Sequence, residues 1–177
     1  MRIYDKIMSL RLNSRNSRFV GCVNIVGGFR YIHIGNDCVF GKKLILTAID
    51  KYQNENYKPK IIIGKKCSFG DYNHITSINE IIIGDNVLTG RWVTITDNSH
   101  GDIDLQSIII PPLERSLKSK GKVCIGNNVW IGDKATILPN VVIGDNCVIG
   151  ANSVVSKCIP ANSVVAGNPA KIIKQLG

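Results

Sequence analysis

The feature that most constrains this chain is a period of six. Ile125, Ile131, Ile137, Ile143, Ile149, Val155 and Ala161 fall six residues apart without a slip. Glycine follows at Gly126, Gly132, Gly144 and Gly150, with Asn or Asp next at Asn127, Asp133 and Asp145. Written in sixes the segment reads IGNNVW, IGDKAT, ILPNVV, IGDNCV, IGANSV, VSKCIP. Earlier copies are IGNDCV from Ile34, IGKKCS from Ile63, FGDYNH from Phe69, IGDNVL from Ile83, TGRWVT from Thr89 and ITDNSH from Ile95.

An amphipathic helix repeats every 3.6 residues and a half-buried strand every two, so a period of six is neither. It fits a short strand with an inward aliphatic residue, followed by a tight turn in which Gly and Asn tolerate positive φ. A small residue four places on (Val129, Ala135, Val141, Cys147, Ser153) fits beside the aliphatic one. Three sixes close one coil, neighbouring coils pair strand to strand in parallel, and only the stack buries the apolar face. The expected class is all-β, a parallel β-helix in a single domain. Its coils span 31–166, with an N-terminal extension over 1–30 and a closing segment over 167–177.

The breaks in the repeat are as informative as the repeat. Residues 46–60 are polar and out of phase, which predicts an inserted loop or an irregular corner. Residues 101–122 lack the motif and contain Pro111 and Pro112, and a loop this long in a compact domain is often functional. Ile3, Ile7 and Leu10 stand at helical spacing and predict a short N-terminal helix.

Charge points to an anionic partner. The net charge is +9, and residues 1–30 carry Arg2, Lys6, Arg11, Arg15, Arg18 and Arg30 against Asp5 alone. Nucleic acid, acidic lipid and cofactor phosphates all fit that balance, but no nucleic-acid reader motif is present. No run approaches the ~20 apolar residues of a membrane span. The six cysteines show no C-x-x-C spacing, which argues against a zinc site or redox dithiol and for reduced thiols in a cytoplasmic protein.

Three histidines are available: His33, His74 and His100. His100 stands in TDNSHG, where the coils give way to the long loop, so its side chain can face a groove. Histidine suits the removal of a hydroxyl proton near neutral pH.

The run IGDNVLTGRWVTITDNSHG, residues 83–101, resembles the galactoside, maltose and surface-polysaccharide O-acetyltransferases of the hexapeptide-repeat family. Residues 125–174 are similar to the coenzyme-A-binding coils and closing segment of these enzymes. The resemblance implies a left-handed β-helix, against the usual right-handed crossover rule. It also implies a homotrimer whose extruded loop wraps an adjacent subunit, with acetyl-CoA as acyl donor and no metal. His100 is the implied general base toward a small hydroxylated acceptor such as a sugar. An amino-sugar amine stays open as an alternative. Trp130, Asp133, Ala151, Ser156, Lys157, Lys171 and Lys174 are the implied cofactor residues, with a backbone N–H at the Asp133 corner for the oxyanion. Lys171 and Lys174 stand where related enzymes often have Arg, which gives up bidentate phosphate binding. His74, Trp92, Asp97 and Asn98 are acceptor-side candidates, Asp97 also as a group that orients His100.

Two other readings compete. A γ-type carbonic anhydrase needs three histidines around zinc, yet no close pair exists here. A non-catalytic scaffold leaves His100 and the NPAK closing segment without a role.

Overall fold

A computed structural model describes residues 3–176; Met1, Arg2 and Gly177 lie outside the described residues. The chain winds into a three-sided prism with one sheet on each side, of eight, six and five strands, here A, B and C, parallel throughout except for the last strand of A. Sheet A runs through Val39–Phe40, Ser68–Phe69, Leu88–Thr89 and Trp130–Ile131. Sheet B runs through Ile45–Ala48, His74–Ser77, Thr94–Thr96 and Thr136–Ile137. Sheet C runs through Ile32–Ile34, Lys60–Ile63, Glu80–Ile83 and Val123–Ile125.

Register makes the core. Ile34, Ile63, Ile83, Ile125 and Ile143 stack coil upon coil on sheet C, all buried. Phe19, Phe40 and Phe69 form a matching column on sheet A, with stacked rings 5.0 and 5.4 Å apart. Each coil therefore lends its neighbour the apolar cover that it lacks alone.

The turn chemistry divides between two positions rather than sharing one. Positive φ falls on the fourth residue of the six, at Asn86, Asn128, Lys134, Asn140, Asn146 and Asn152. The glycine in second place has ordinary φ. It is required because a Cβ there would strike the next coil: at Gly84 it would lie 2.7 Å from the Gly126 carbonyl oxygen, at Gly132 2.6 Å from the Ala151 nitrogen.

The third residue caps the coil beneath it. At the corner between sheets C and A, the Lys65 N–H donates to Asp85, the Asp85 N–H to Asn127 and the Asn127 N–H to Asp145, at 2.6–2.8 Å. The Asn amides beside them form a second ladder through Asn86, Asn128, Asn146 and Asn162. Buried thiols join in: Cys38, Cys67 and Cys147 donate to carbonyls of the coil above, at Gly64, Gly84 and Pro160.

Two boundaries differ from the sequence expectation. The coils begin before residue 31, because Arg18–Phe19 and Asn24–Val26 already pair with sheets A and B. This first coil, RFVGCVNIV, lacks the motif; beneath it packs the helix Ile3–Arg11, not another coil. The out-of-phase stretch 46–60 is in part regular: Ile45–Ala48 completes a sheet B strand, and only the hairpin of Lys51–Tyr52 and Glu55–Asn56 projects. The long loop leaves after the antiparallel pair Ser99–His100 with Leu117–Lys118, and carries Leu105–Ile108 and Pro112–Glu114 as short helical turns. At the other end the chain closes with the antiparallel strands Ser163–Gly167 and Ala170–Gln175.

Candidate functional site

His100 lies at the root of the long loop, exposed, paired across the stem with Leu117. Its ring meets the ring of Tyr52 at 75°, centroids 5.5 Å apart. Tyr52 belongs to the projecting hairpin, and that hairpin holds the loop in place. The Tyr52 hydroxyl and the Gln53 amide both donate to the Leu113 carbonyl, at 2.8 and 2.7 Å. Ser116 donates to Glu55 at 2.6 Å, and the Leu117 N–H donates to the Tyr57 hydroxyl at 3.1 Å. The Ser116 and Tyr57 hydroxyls together hold the Glu55 carboxyl below its ordinary range. Tyr52 is invisible to motif reading, because its partner lies in a different coil.

Asp97 does something other than orient His100. It is fully buried, and its oxygens accept from the Ser77 hydroxyl at 2.6 Å and the Ile78 and Asn79 N–H groups at 2.9 and 3.0 Å. The Asn98 amide adds a fourth bond at 3.1 Å. A carboxylate so satisfied fixes the corner from which the loop departs. Asn98 also donates to the Thr76 carbonyl, and stays partly exposed.

Beside the loop stem opens a cleft of about 340 Å³, lined by Thr96, Asn98, Ser99, Lys120, Leu138 and Ser156. A second cleft of about 310 Å³ continues from Ser156 past Lys157 to Pro169 and Lys171. The shared Ser156 joins the two, so Asn98, Ser156, Lys157 and Lys171 lie along one edge of the prism, which reaches the loop stem at Ser99. Lys174 sits further along the closing strand, opposite Val164 and exposed.

The remaining sequence candidates gather at the other edge of sheet B. Trp92 lies flat against Tyr72, centroids 4.2 Å apart and planes 4° from parallel. Both have positive φ at positions where Asn is usual. Asp133 accepts from the Arg91 N–H at 2.9 Å. By the ladder rule the Asp133 N–H would donate to the third residue of the next coil. That residue is Ala151, which has no acceptor, and among the described residues this N–H has no partner. Trp130 projects from sheet A, half exposed. Within one chain this group and His100 are a prism face apart, roughly 15–20 Å at strand spacing.

His74 faces outward from sheet B between Ile45 and Thr94, with Nε2 3.3 Å from the Thr47 hydroxyl. Burial pushes its imidazole below the ordinary histidine range. His33 sits on sheet C, so the three histidines do not converge as a zinc site would need.

Comparison with known proteins supplies the family. Residues 125–157 match the model described as "Bacterial transferase hexapeptide (six repeats)". The chain is 36% identical over 99% of its length, and 87% of the other's, to Escherichia coli K12 WbbJ, a proposed lipopolysaccharide biosynthesis O-acetyl transferase. The chain belongs to the hexapeptide-repeat acetyltransferase family. This acetyltransferase also superposes on the maltose O-acetyltransferase of Clostridium difficile 630, with TM-score 0.60 and 31% identity over 99% of this chain and 77% of that one. A galactoside acetyltransferase solved with coenzyme A gives TM-score 0.65 and 26% identity over 99% and 72%. Its coils are therefore those of a left-handed parallel β-helix, which places the acetyltransferase's clefts on a known scaffold.

Proposed function

We propose that the chain moves acetyl from acetyl-CoA to a hydroxyl of a sugar in a surface-polysaccharide or lipopolysaccharide precursor. The observation that carries this reading is the continuous edge from Ser99, the residue before His100, past Ser156 to Lys157 and Lys171. The donor fits that edge: lysine ammonium groups suit nucleotide phosphates, and Ser156 lies where the pantetheine arm would run toward the base. The sugar class draws on the relatives, which are described as lipopolysaccharide-biosynthesis, maltose and galactoside O-acetyltransferases.

His100 acts as general base. Its neutral imidazole takes the acceptor hydroxyl proton as the oxygen attacks the thioester carbonyl. It returns that proton to the departing CoA sulfur. Negative charge grows on the carbonyl oxygen meanwhile and needs a preorganised donor. The Asp133 N–H left open by Ala151 is that donor. Because it lies a prism face from His100 of the same chain, the two meet across subunits, and the active form is a trimer of prisms packed side by side. His74, Asn98 and the Tyr72–Trp92 stack serve the acceptor side, the aromatic pair as an apolar platform for a sugar ring. Acetyl-CoA supply sets the work in the cytoplasm.

Purified protein incubated with acetyl-CoA and a panel of sugars, nucleotide sugars and lipid-linked oligosaccharides tests this. Ester formation on a sugar, lost in His100→Ala with CoA affinity retained, is the expected result. Full turnover in His100→Ala would remove the base from the mechanism.

A further inference from the structure

The helix Ile3–Arg11 closes the N-terminal end of the prism, and its two faces differ sharply. Inward, Met8 and the following Leu12 enter the core, and buried Asp5 accepts from the Phe19 N–H at 3.0 Å. The Tyr4 hydroxyl accepts from the Val23 N–H at 3.0 Å, so the helix also caps the edge of the first coil. Outward stand Ile3, Ile7 and Leu10, exposed by 80%, 48% and 84%. At ~100° per residue these three form one stripe, with Lys6 on one flank and Arg11 on the other. Exposed Arg15 and Arg18 extend the basic rim. A groove of about 440 Å³ beside the stripe is lined by Lys6, Ser9, Leu10, Asn13 and Arg15. From Ile3 to Arg18 the one acid is Asp5, and it is buried.

A terminal cap of a stacked fold ordinarily turns a polar face outward, because nothing stacks upon it. This cap presents large aliphatic side chains framed by cations. That is the pattern of a helix lying in the headgroup region of an anionic bilayer, apolar face down and cations at the phosphates. A second copy fits less well: two such caps end to end would bring Lys6 and Arg11 of both against one another. Prisms packed side by side leave the ends open.

We infer that this helix seats the protein end-on upon an anionic membrane surface. The prism axis then stands upright on the bilayer. His100 follows Thr94–Thr96, the fourth sheet B strand from that end. At ~4.8 Å per coil the base stands about 15 Å above the first coil, and the ~10 Å thickness of the helix beneath puts it roughly 25 Å above the surface. A sugar carried on a membrane-embedded lipid is presented at that height; this last step rests on the function proposed above, whereas membrane docking does not.

The test uses the full chain and sedimentation with vesicles of mixed phosphatidylglycerol and phosphatidylcholine, against phosphatidylcholine alone. The protein binds the mixed vesicles at low salt, and binding falls on neutral vesicles and at high salt. The double variants Ile7→Asp/Leu10→Asp and Lys6→Glu/Arg11→Glu each weaken partitioning by at least about tenfold. Turnover of a soluble acceptor stays unchanged in both, and the melt of Ile7→Asp/Leu10→Asp stays near the parent's because those side chains are outside the core, whereas Arg11→Glu also gives up its contact over the Phe29 ring and lowers the melt slightly. Failure of the parent protein to bind mixed vesicles at low salt overturns the inference. So does binding indifferent to both double variants, or an oligomer that the variants dissolve while the parent ignores vesicles. Vesicle binding without acetylation of any sugar would instead sink the proposed acceptor and leave the docking intact.

Discussion

Tyr52 holds His100 and the long loop with one side chain: its ring packs against the imidazole at 5.5 Å while its hydroxyl donates to the Leu113 carbonyl at 2.8 Å. A general base contributes about 10²–10⁴-fold when it is correctly placed. Tyr52→Ala should forfeit part of that factor, with kcat falling roughly tenfold or more and the Kd for CoA little changed. Tyr52→Phe, which keeps the ring, should stay nearer the parent in kcat. Steady-state kinetics with calorimetric CoA titration separate the two effects. Equal kcat in Tyr52→Ala and the parent would show that the ring contact does not position the base.

The open Asp133 N–H gives a sharper test. An aspartate in place of Ala151 would extend the corner ladder by one rung, as Asp145 does for Asn127. Ala151→Asp should leave the melting temperature unchanged or raised. It should also lower kcat by about 10²–10³-fold, the worth of an oxyanion donor. A variant that folds and turns over normally would place the oxyanion elsewhere.

Lys157 and Lys171 flank one cleft, exposed to solvent. Charge-assisted contacts with phosphates are screened by salt. The double variant Lys157→Ala/Lys171→Ala should raise the Kd for CoA by roughly tenfold at low ionic strength, and by less in high salt. The acceptor KM should barely move. An unaltered CoA affinity would strip both lysines of their phosphate role.

Asp97 is buried with its oxygens fully bonded. Asp97→Ala leaves two backbone N–H groups and a hydroxyl without their acceptor, at a cost of about 3 kcal/mol. Denaturant unfolding should show that loss, whereas an undiminished midpoint would mean that water replaces the carboxylate.

His74 carries a pH signature. Burial lowers its pKa in the folded state below the ordinary value of 6.5. The unfolded chain therefore binds the proton first, and stability declines as pH falls below about 6.5. It is fully present above that value. His74→Gln removes this component, so the variant's melting temperature should fall less than the parent's between neutral and mildly acid pH. Parallel curves would mean that His74 is solvated in both states.

Much of this was legible from spacing. Ile125 through Val155 announce the coils, and the phase break after His100 announces the loop. Period six could not distinguish the separate demands on the second and fourth places of a hexad. Lys134 bears the positive φ, whereas Gly132 yields space to Ala151, and only stacking reveals the second constraint. The bonding of Asp97 was hidden for a related reason: an Asp beside a catalytic candidate looks the same in sequence whether it faces the groove or the corner backbone. Tyr52 and the uncapped Asp133 N–H depend on contacts between coils, which no local pattern encodes. The outward stripe of the first helix was visible as spacing, but its direction was set by Met8 and Leu12, which take the core.

The loop stem has a consequence for how such an enzyme diversifies. On either side of the excursion, Thr94–Thr96 and Val123–Ile125 are locked to neighbouring coils by their own pairings. The segment between them and the Lys51–Asn56 hairpin that grips it form a detachable pair, held to each other more than to the prism. Exchanging both together between relatives should move the loop and its grip as one folded cassette, while His74, the Tyr72–Trp92 stack and the edge at Ser156 and Lys157 are inherited unchanged.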